Sequence, residues 1–268
     1  MDAKLLVVGG NSRVGQLLRR PFRDVPVTWC ARSGADVTWT LMDGPAALAP
    51  ALCGQDAVLC LAGATPGADS FDLNAEVALA VIEAARRAGC QRVFLFSSMA
   101  VYGPGAGHAE DGPCAPATAY GASKLDMERR AAEAASDVAV TALRLGNVAG
   151  ADALFRNIAA GRAITLDRFA DGATPARSYI DPTLLAEVLV ALVRQSDLPP
   201  VLNLAADPPV EMAALMDAAD AGYDTRPAPE TALREVSMDL SRLKAMVPLP
   251  DRPAPALLAG LAEAEAAA

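Results

Sequence analysis

Tyr120 and Lys124 stand four residues apart in Tyr120-Gly121-Ala122-Ser123-Lys124, in a chain that otherwise holds lysine only at Lys4 and Lys244. With so few lysines and tyrosines, roughly 0.04 such pairs would arise by chance. On a helix, positions i and i+4 share a face, so a phenol and an ammonium at this spacing can enter one cleft. A tyrosine of pKa about 10 is a poor acid or base at neutral pH until a neighbouring cation lowers that value. Lysine suits the task because its charge is compact and its donors rotate, so it can steady a phenolate while also bonding a ligand hydroxyl. The chemistry expected is proton transfer to or from a ligand oxygen, with a solvated surface pair as the competing reading.

Such a pair needs a scaffold. Short apolar runs rich in Val and Leu predict strands near residues 4–8, 25–31, 37–40, 56–62, 92–97, 138–145 and 201–204. Helical patterns fall between them at 14–20, 46–52, 71–88, 119–135 and 183–194. This alternation predicts βαβ units and an α/β fold with a parallel sheet buried on both faces. The fourth helix carries Tyr120 and Lys124. From Ala151 the rhythm breaks into short elements punctuated by Gly161, Gly172, Pro175, Pro199-Pro200 and Pro208-Pro209, which predicts a smaller lid. The Ala/Glu tail at 261–268 reads as a fraying helix or a disordered end.

The first predicted strand runs into Gly9-Gly10-Asn11-Ser12-Arg13-Val14-Gly15 and then a helix. Backbone amides and a helix start at a strand end suit a pyrophosphate. Gly9 supplies the tight turn, Gly15 permits close packing, and Ser12 replaces the middle glycine of the usual pattern. Where the second strand ends, an acidic residue would bond a bare ribose. Here Cys30-Ala31-Arg32-Ser33 stands instead, with Arg13 expected to reach the same corner, so NADP(H) is favoured over NAD(H). Leu61, Ala62 and Gly63 are expected beside the cofactor, and Asp43 near its adenine.

A formal net charge of −9 argues against a nucleic-acid partner. Five cysteines, Cys30, Cys53, Cys60, Cys90 and Cys114, lie in or beside apolar runs without a Cys-x-x-Cys pair and read as reduced core residues. One histidine, His108, leaves little room for a metal site, and none is expected. The N-terminal residues lack a basic leader and no run approaches about 20 apolar residues, so a cytoplasmic protein without a membrane span is expected.

The fifth major strand ends in Ser97-Ser98-Met99-Ala100-Val101-Tyr102-Gly103, which sets Ser98 at the carboxyl edge opposite Tyr120. With the 9–15 loop, residues 56–63, Asn74, Tyr120 to Lys124, Leu143-Arg144-Leu145-Gly146-Asn147 and Arg177-Ser178-Tyr179-Ile180, the chain resembles extended short-chain dehydrogenases/reductases of the NAD-dependent epimerase/dehydratase type. The resemblance spans nearly the whole length. It implies a Rossmann-type doubly wound parallel sheet with a small C-terminal substrate-binding subdomain. Residues 1–150, with 178–205 returning to them, would form the dinucleotide domain, and 151–177 with 206–268 the lid.

By that resemblance Tyr120 is the acid/base of hydride transfer, Lys124 lowers its pKa and bonds the nicotinamide ribose, and Ser98 holds the reacting oxygen. Ser97 and Leu145 would border the cofactor, while Asn147 and Arg177 would contact the distal part of the substrate. Tyr102 reads as packing. Two departures stand out. Asp181 and Leu184 replace the usual His and Asp after the Tyr-Ile pair, and the 150–201 segment is short for a nucleotide-sugar lid. The 33–36 link is also too short for the usual crossover helix. The expected activity is an NAD(P)-dependent oxidoreductase acting on a small, sugar-like substrate. The alternatives are a nucleotide-sugar epimerase/dehydratase with tightly held NAD and a silent NADP-sensing regulator. Relatives pair through the helix bearing Tyr120 and its neighbour, so a homodimer is a further expectation.

Overall fold

A computed structural model describes residues 3–68 and 70–266. In chain order the first half contains β1 (Leu5–Val8), α1 (Arg13–Leu18), β2 (Val27–Ala31), β3 (Val37–Thr38), α2 (Gly44–Leu52), β4 (Ala57–Cys60) and α3 (Leu73–Ala88). Next come β5 (Arg92–Ser98), β6 (Gly105–His108), α4 (Ala119–Ala134), β7 (Ala139–Leu145), β8 (Asn147–Val148) and α5 (Ala153–Ala159). The remainder holds β9 (Thr165–Arg168), β10 (Ala176–Arg177), β11 (Tyr179–Ile180), α6 (Pro182–Val193), β12 (Val201–Leu204) and β13 (Val210–Glu211). It closes with α7 (Met212–Ala218), β14 (Asp224–Pro227), β15 (Glu235–Met238), α8 (Ser241–Met246) and α9 (Ala254–Glu265).

Seven strands form one parallel sheet in the order β12-β7-β5-β4-β1-β2-β3. They are the seven strands expected from the apolar runs. The order reverses direction between β1 and β4, the switch point at which doubly wound sheets hold ligands outside their carboxyl ends. This is a Rossmann-type sheet. Alternation along β1 sorts its side chains to two cores. Leu5 and Val7 pack with Leu18, Phe22 and the apolar face of α6, whereas Leu6 and Val8 pack with α2, α3 and Met127 of α4. In α3, Asn74, Val77, Val81 and Ala84 are all buried, as their spacing requires, and Gly89 ends the helix in the left-handed region.

The link between β2 and β3 lacks a crossover helix, as its length requires. The Asp36 carboxylate accepts from the Trp29 amide at 2.8 Å, and the Trp39 amide donates to the Ala31 carbonyl at 3.0 Å. These bonds fold the chain back so that Cys30 faces Val37 and Ala31 faces Thr38 in parallel register.

Beyond β7 the elements are short. Strands β13, β10, β15 and β6 make a second sheet, and β8 with β11 and β9 with β14 make two-stranded pairs. Leu154, Phe155, Tyr179, Leu215, Met216, Leu257 and Leu261 fill a separate core beneath them. The C-terminal segment is thus ordered as α9 through Glu265, held by buried Leu261 and Ala264. Residues 267–268 lie outside the described residues. Cys30, Cys60 and Cys90 are buried free thiols, but Cys53 is exposed just after α2, so the reading of all five as core residues is corrected there. No helix among the described residues is long and apolar enough to cross a membrane.

Candidate active site

Parallel strands present their carboxyl ends together, and β5 delivers Ser98 to that edge, where its Oγ accepts from the Ala100 amide at 3.2 Å. Thr118 caps α4 by accepting from the Gly121 amide at 3.1 Å, which starts the helix one residue before Tyr120. Gly121 is required there, because a Cβ would lie 2.3 Å from the Ala100 carbonyl oxygen. This close approach sets the Tyr120 hydroxyl near that of Ser98, which counters part of the effect of burial on the phenol. Phe71 closes the outer side edge-on, its ring centroid 6.1 Å from that of Tyr120.

Lys124 is 6% exposed, and its Nζ donates to the Phe96 carbonyl at 2.8 Å. Burial lowers its pKa to about 8, against the opposing influence of Cys60 and Glu128. Nζ lies 5.9 Å from the Tyr120 ring centroid. The expected depression of the tyrosine is absent: burial raises the Tyr120 pKa and only the nearby Ser98 hydroxyl opposes it. The ammonium is engaged by a backbone carbonyl, so it does not reach the phenol oxygen to offset desolvation.

Asn74, 1% exposed, fastens α4 to the end of β4. Its Oδ1 accepts from the Ala64 amide at 2.9 Å, its Nδ2 donates to Ser123 Oγ at 2.9 Å, and the Ser123 hydroxyl donates to the Tyr120 carbonyl at 2.8 Å. Gly63, at φ +156°, leaves space for this clamp, since a Cβ would fall 2.4 Å from Asn74 Oδ1 and 3.5 Å from Lys124 Nζ. Leu61, Ala62 and Gly63 therefore line the same edge as Lys124, and Leu145 joins it as the register partner of Ser98.

At the 9–15 loop, a Cβ on Gly9 would lie 2.6 Å from the Ala62 amide nitrogen, and one on Gly15 would lie 2.7 Å from the Gly9 carbonyl oxygen. Ser12 caps α1 by accepting from the Gly15 amide at 3.0 Å. The amides of Asn11, Arg13 and Val14 find no partner among the described residues. Glycines at the two tight contacts and open amides between them fit the pyrophosphate of a dinucleotide.

Several of the expected site residues are engaged within the protein. Arg13 does not turn toward Arg32; its Nε donates to the Gly150 carbonyl on the lid side of α1. Asp43 is committed to a 3₁₀ turn, where its Oδ2 accepts from the Thr40 amide at 2.7 Å and hydroxyl at 2.8 Å, bonds that lower its pKa. The Ser97 side chain leaves β5 on the face opposite Ser98, and its hydroxyl donates to Glu128 within the protein. Asn147 and Arg177, expected at the distal part of the substrate, are held by different neighbours. Asn147 Nδ2 donates to Asp152 Oδ2 at 3.3 Å beside the Tyr179 hydroxyl, while Arg177 donates to the carbonyls of Ala176 and Leu233 at 2.7 and 3.1 Å. Asp181 lies away from the edge, buried and capping α6 while it pairs with Arg252 at 3.1 Å. Tyr102 is buried, and its hydroxyl donates to Asn203 Oδ1 at 2.6 Å.

A buried ion pair escaped the sequence reading. Glu128, one turn beyond Lys124 on α4, meets Arg144 of β7 at 2.7 Å, and Arg144 stands 4.7 Å over the Tyr102 ring. The available signal was an arginine inside an otherwise apolar strand. Among the described residues, no group of three His, Cys, Asp or Glu side chains is placed to hold a metal.

A family model described as the NAD dependent epimerase/dehydratase family matches residues 5–205. No curated protein matches the chain. Among solved structures, MoeE5 in complex with UDP-glucuronic acid and NAD has a TM-score of 0.77 at 21% identity, covering 97% of this chain and 98% of that one. The UDP-N-acetylglucosamine 4-epimerase from Methanobrevibacter ruminantium M1, in complex with UDP-N-acetylmuramic acid, has a TM-score of 0.77 at 20% identity, covering 98% and 97%. TunA, an NAD dependent-NDP-hexosamine 5,6-dehydratase involved in tunicamycin biosynthesis, has a TM-score of 0.76 at 19% identity, covering 98% and 97%.

Proposed function

Since this chain belongs to the NAD dependent epimerase/dehydratase family, we propose that it is an NADP-dependent oxidoreductase in which Tyr120 moves a proton to or from a carbonyl or secondary alcohol of a small, sugar-like substrate. The observation that carries this reading is the half-buried pair of Tyr120 and Ser98 hydroxyls beside the buried Lys124. Residues 1–150 with 178–205 are assigned to the cofactor, and 151–177 with 206–268 to the substrate. Gly9, Asn11 to Gly15, Gly63 and Lys124 would hold the dinucleotide, which when bound gives or takes a hydride.

The remaining work falls to side chains. In the reducing direction the Ser98 hydroxyl orients the carbonyl oxygen, and Tyr120 gives that oxygen its proton as the carbon gains hydride. The phenolate left behind has a cation within the same turn pair, because Lys124 is held in place by the Phe96 carbonyl. Oxidation of an alcohol runs the same transfers in reverse, and the alcohol proton returns to the phenolate. With its pKa raised by burial, Tyr120 rests in the protonated form from which reduction starts, and it yields that proton only as the substrate oxygen gains negative charge.

The test is NADPH consumption over a panel of small ketones and sugar-derived carbonyl compounds, with wild type against Tyr120→Phe. Turnover in wild type that Tyr120→Phe abolishes, with NADPH binding retained, supports the reading; equal turnover in the variant refutes it. A nucleotide-sugar epimerase/dehydratase that retains NAD is the second reading, favoured by the NAD and nucleotide-sugar ligands of the similar structures. It predicts product formation without net NADPH consumption.

A further inference from the structure

We propose that Arg19, at the far end of α1, joins Arg32 in a clamp that selects a dinucleotide carrying a 2′-phosphate. This rests on the cofactor reading above and adds a residue to it. Arg19 lies outside the 9–15 loop and is exposed, with no ion pair among the described residues. Its guanidinium carbon sits 4.7 Å over the Trp29 ring, and its Nη2 donates to Asn11 Oδ1 at 3.3 Å. Asn11 Nδ2 in turn donates to the Ser33 carbonyl at 2.7 Å. One amide side chain thus fixes Arg19 to the end of β2, where the adenosine ribose is read.

The shelf beneath Arg19 is itself fixed. Trp29 packs against Phe22 with ring centroids 6.3 Å apart, and a Cβ on Gly10 would lie 3.0 Å from the indole. An arginine held over an aromatic face has surrendered much of its side-chain freedom before any ligand arrives, so less is lost on binding. Arg32 follows Ala31 at the end of β2, exposed, and makes no hydrogen bond or ion pair among the described residues. A phosphate monoester offers three oxygens and up to two negative charges, enough to engage both guanidinium groups. A ribose hydroxyl offers neither. With Arg13 drawn away to Gly150, Arg19 is the second cation at this corner.

The experiment is a fluorescence titration of the full-length protein with NADPH and with NADH, for wild type, Arg19→Ala, Arg32→Ala and Trp29→Leu, with 2′,5′-ADP and ADP as competitors. Arg19→Ala is expected to weaken NADPH about 10- to 100-fold, as for loss of one charge-assisted contact. NADH should change less than about twofold, and 2′,5′-ADP should lose its advantage over ADP. Trp29→Leu should give a smaller fall of the same kind if the shelf holds the arginine. An equal fall for both dinucleotides would mean that Arg19 only braces the Asn11 loop, and unchanged NADPH affinity would mean that it does not touch the ligand; either overturns the proposal. Wild type that binds NADH more tightly than NADPH refutes the cofactor preference by itself. The part of Arg19 is read separately, from the ratio of the two affinities in variant and wild type.

Discussion

Tyr120 and Lys124 share one face of α4 without sharing a hydrogen bond: the phenol lies beside Ser98, and the ammonium, 5.9 Å from the ring centroid, donates to the Phe96 carbonyl. The two groups are thus oriented by different strand-end atoms, and each can be removed without releasing the other.

Tyr120→Phe keeps the ring and its contact with Phe71 but deletes the transferable proton. Turnover should fall by about 100-fold or more. Ser98→Ala should fall less, with a higher KM, because it removes an orienting contact. Steady-state kinetics beside dinucleotide titration checks both, and a Tyr120→Phe enzyme with unchanged kcat would remove Tyr120 from the mechanism.

The lowered pKa of Lys124, about 8, places a pH limb on activity and a slope on stability. If its ammonium supports the phenolate, kcat should decline as pH rises through about 8. The folded protein releases this proton near pH 8, whereas the unfolded chain keeps it to about 10.4, so the unfolded state binds more protons between those values and stability rises with pH across them. Lys124→Met should lose activity, lose that slope and be more stable at pH 7 by about 2 kcal/mol, or roughly 5 °C in Tm. Thermal melts from pH 7 to 10 give the comparison, and parallel curves for the two proteins would count against a buried charge.

Gly63→Ala forces a Cβ against Asn74 Oδ1 from a backbone conformation that side chains avoid. The expected cost is about 2–3 kcal/mol, with weakened dinucleotide binding because the β4 end shifts relative to α4. Denaturant unfolding and cofactor titration would show the two losses together; a stable variant with normal affinity would show that the clamp is not needed.

Glu128→Gln leaves Arg144 as an unpaired cation in the core, and breaking a pair of this kind costs about 3–5 kcal/mol. Replacing both partners, as Glu128→Leu with Arg144→Met, should recover most of that loss. Melting temperatures of the single and double variants decide it, and a double variant no better than the single would locate the cost elsewhere, for instance in the Ser97 hydroxyl.

The sheet was legible in the sequence because its central strands β1, β4 and β5 are buried on both faces and so read as nearly uninterrupted apolar runs. The third strand is only two residues long, yet the short 33–36 link gave away its missing helix. At the site, Tyr120, Lys124 and Ser98 were readable from helix spacing and a strand end. Directions of side chains were not. Arg13 and Ser97 lie in the right segments but point elsewhere, since each found a partner, Gly150 carbonyl or Glu128, that is remote in sequence. Arg19 lay hidden for the opposite reason: what gives it a place is the indole of Trp29, on another element.

The abrupt return of the chain after β2 has a consequence for how copies of this protein meet. A sheet margin with many free amides invites an extended segment from another molecule to lengthen it, the first step of ordered aggregation. Here that margin is Val37 and Thr38 alone, and the chain turns at once into the Leu41–Asp43 turn. An intruding strand would find about two residues to pair with, too few to repay its own ordering. The tight link that omits a helix thereby also blunts the β3 side of the sheet.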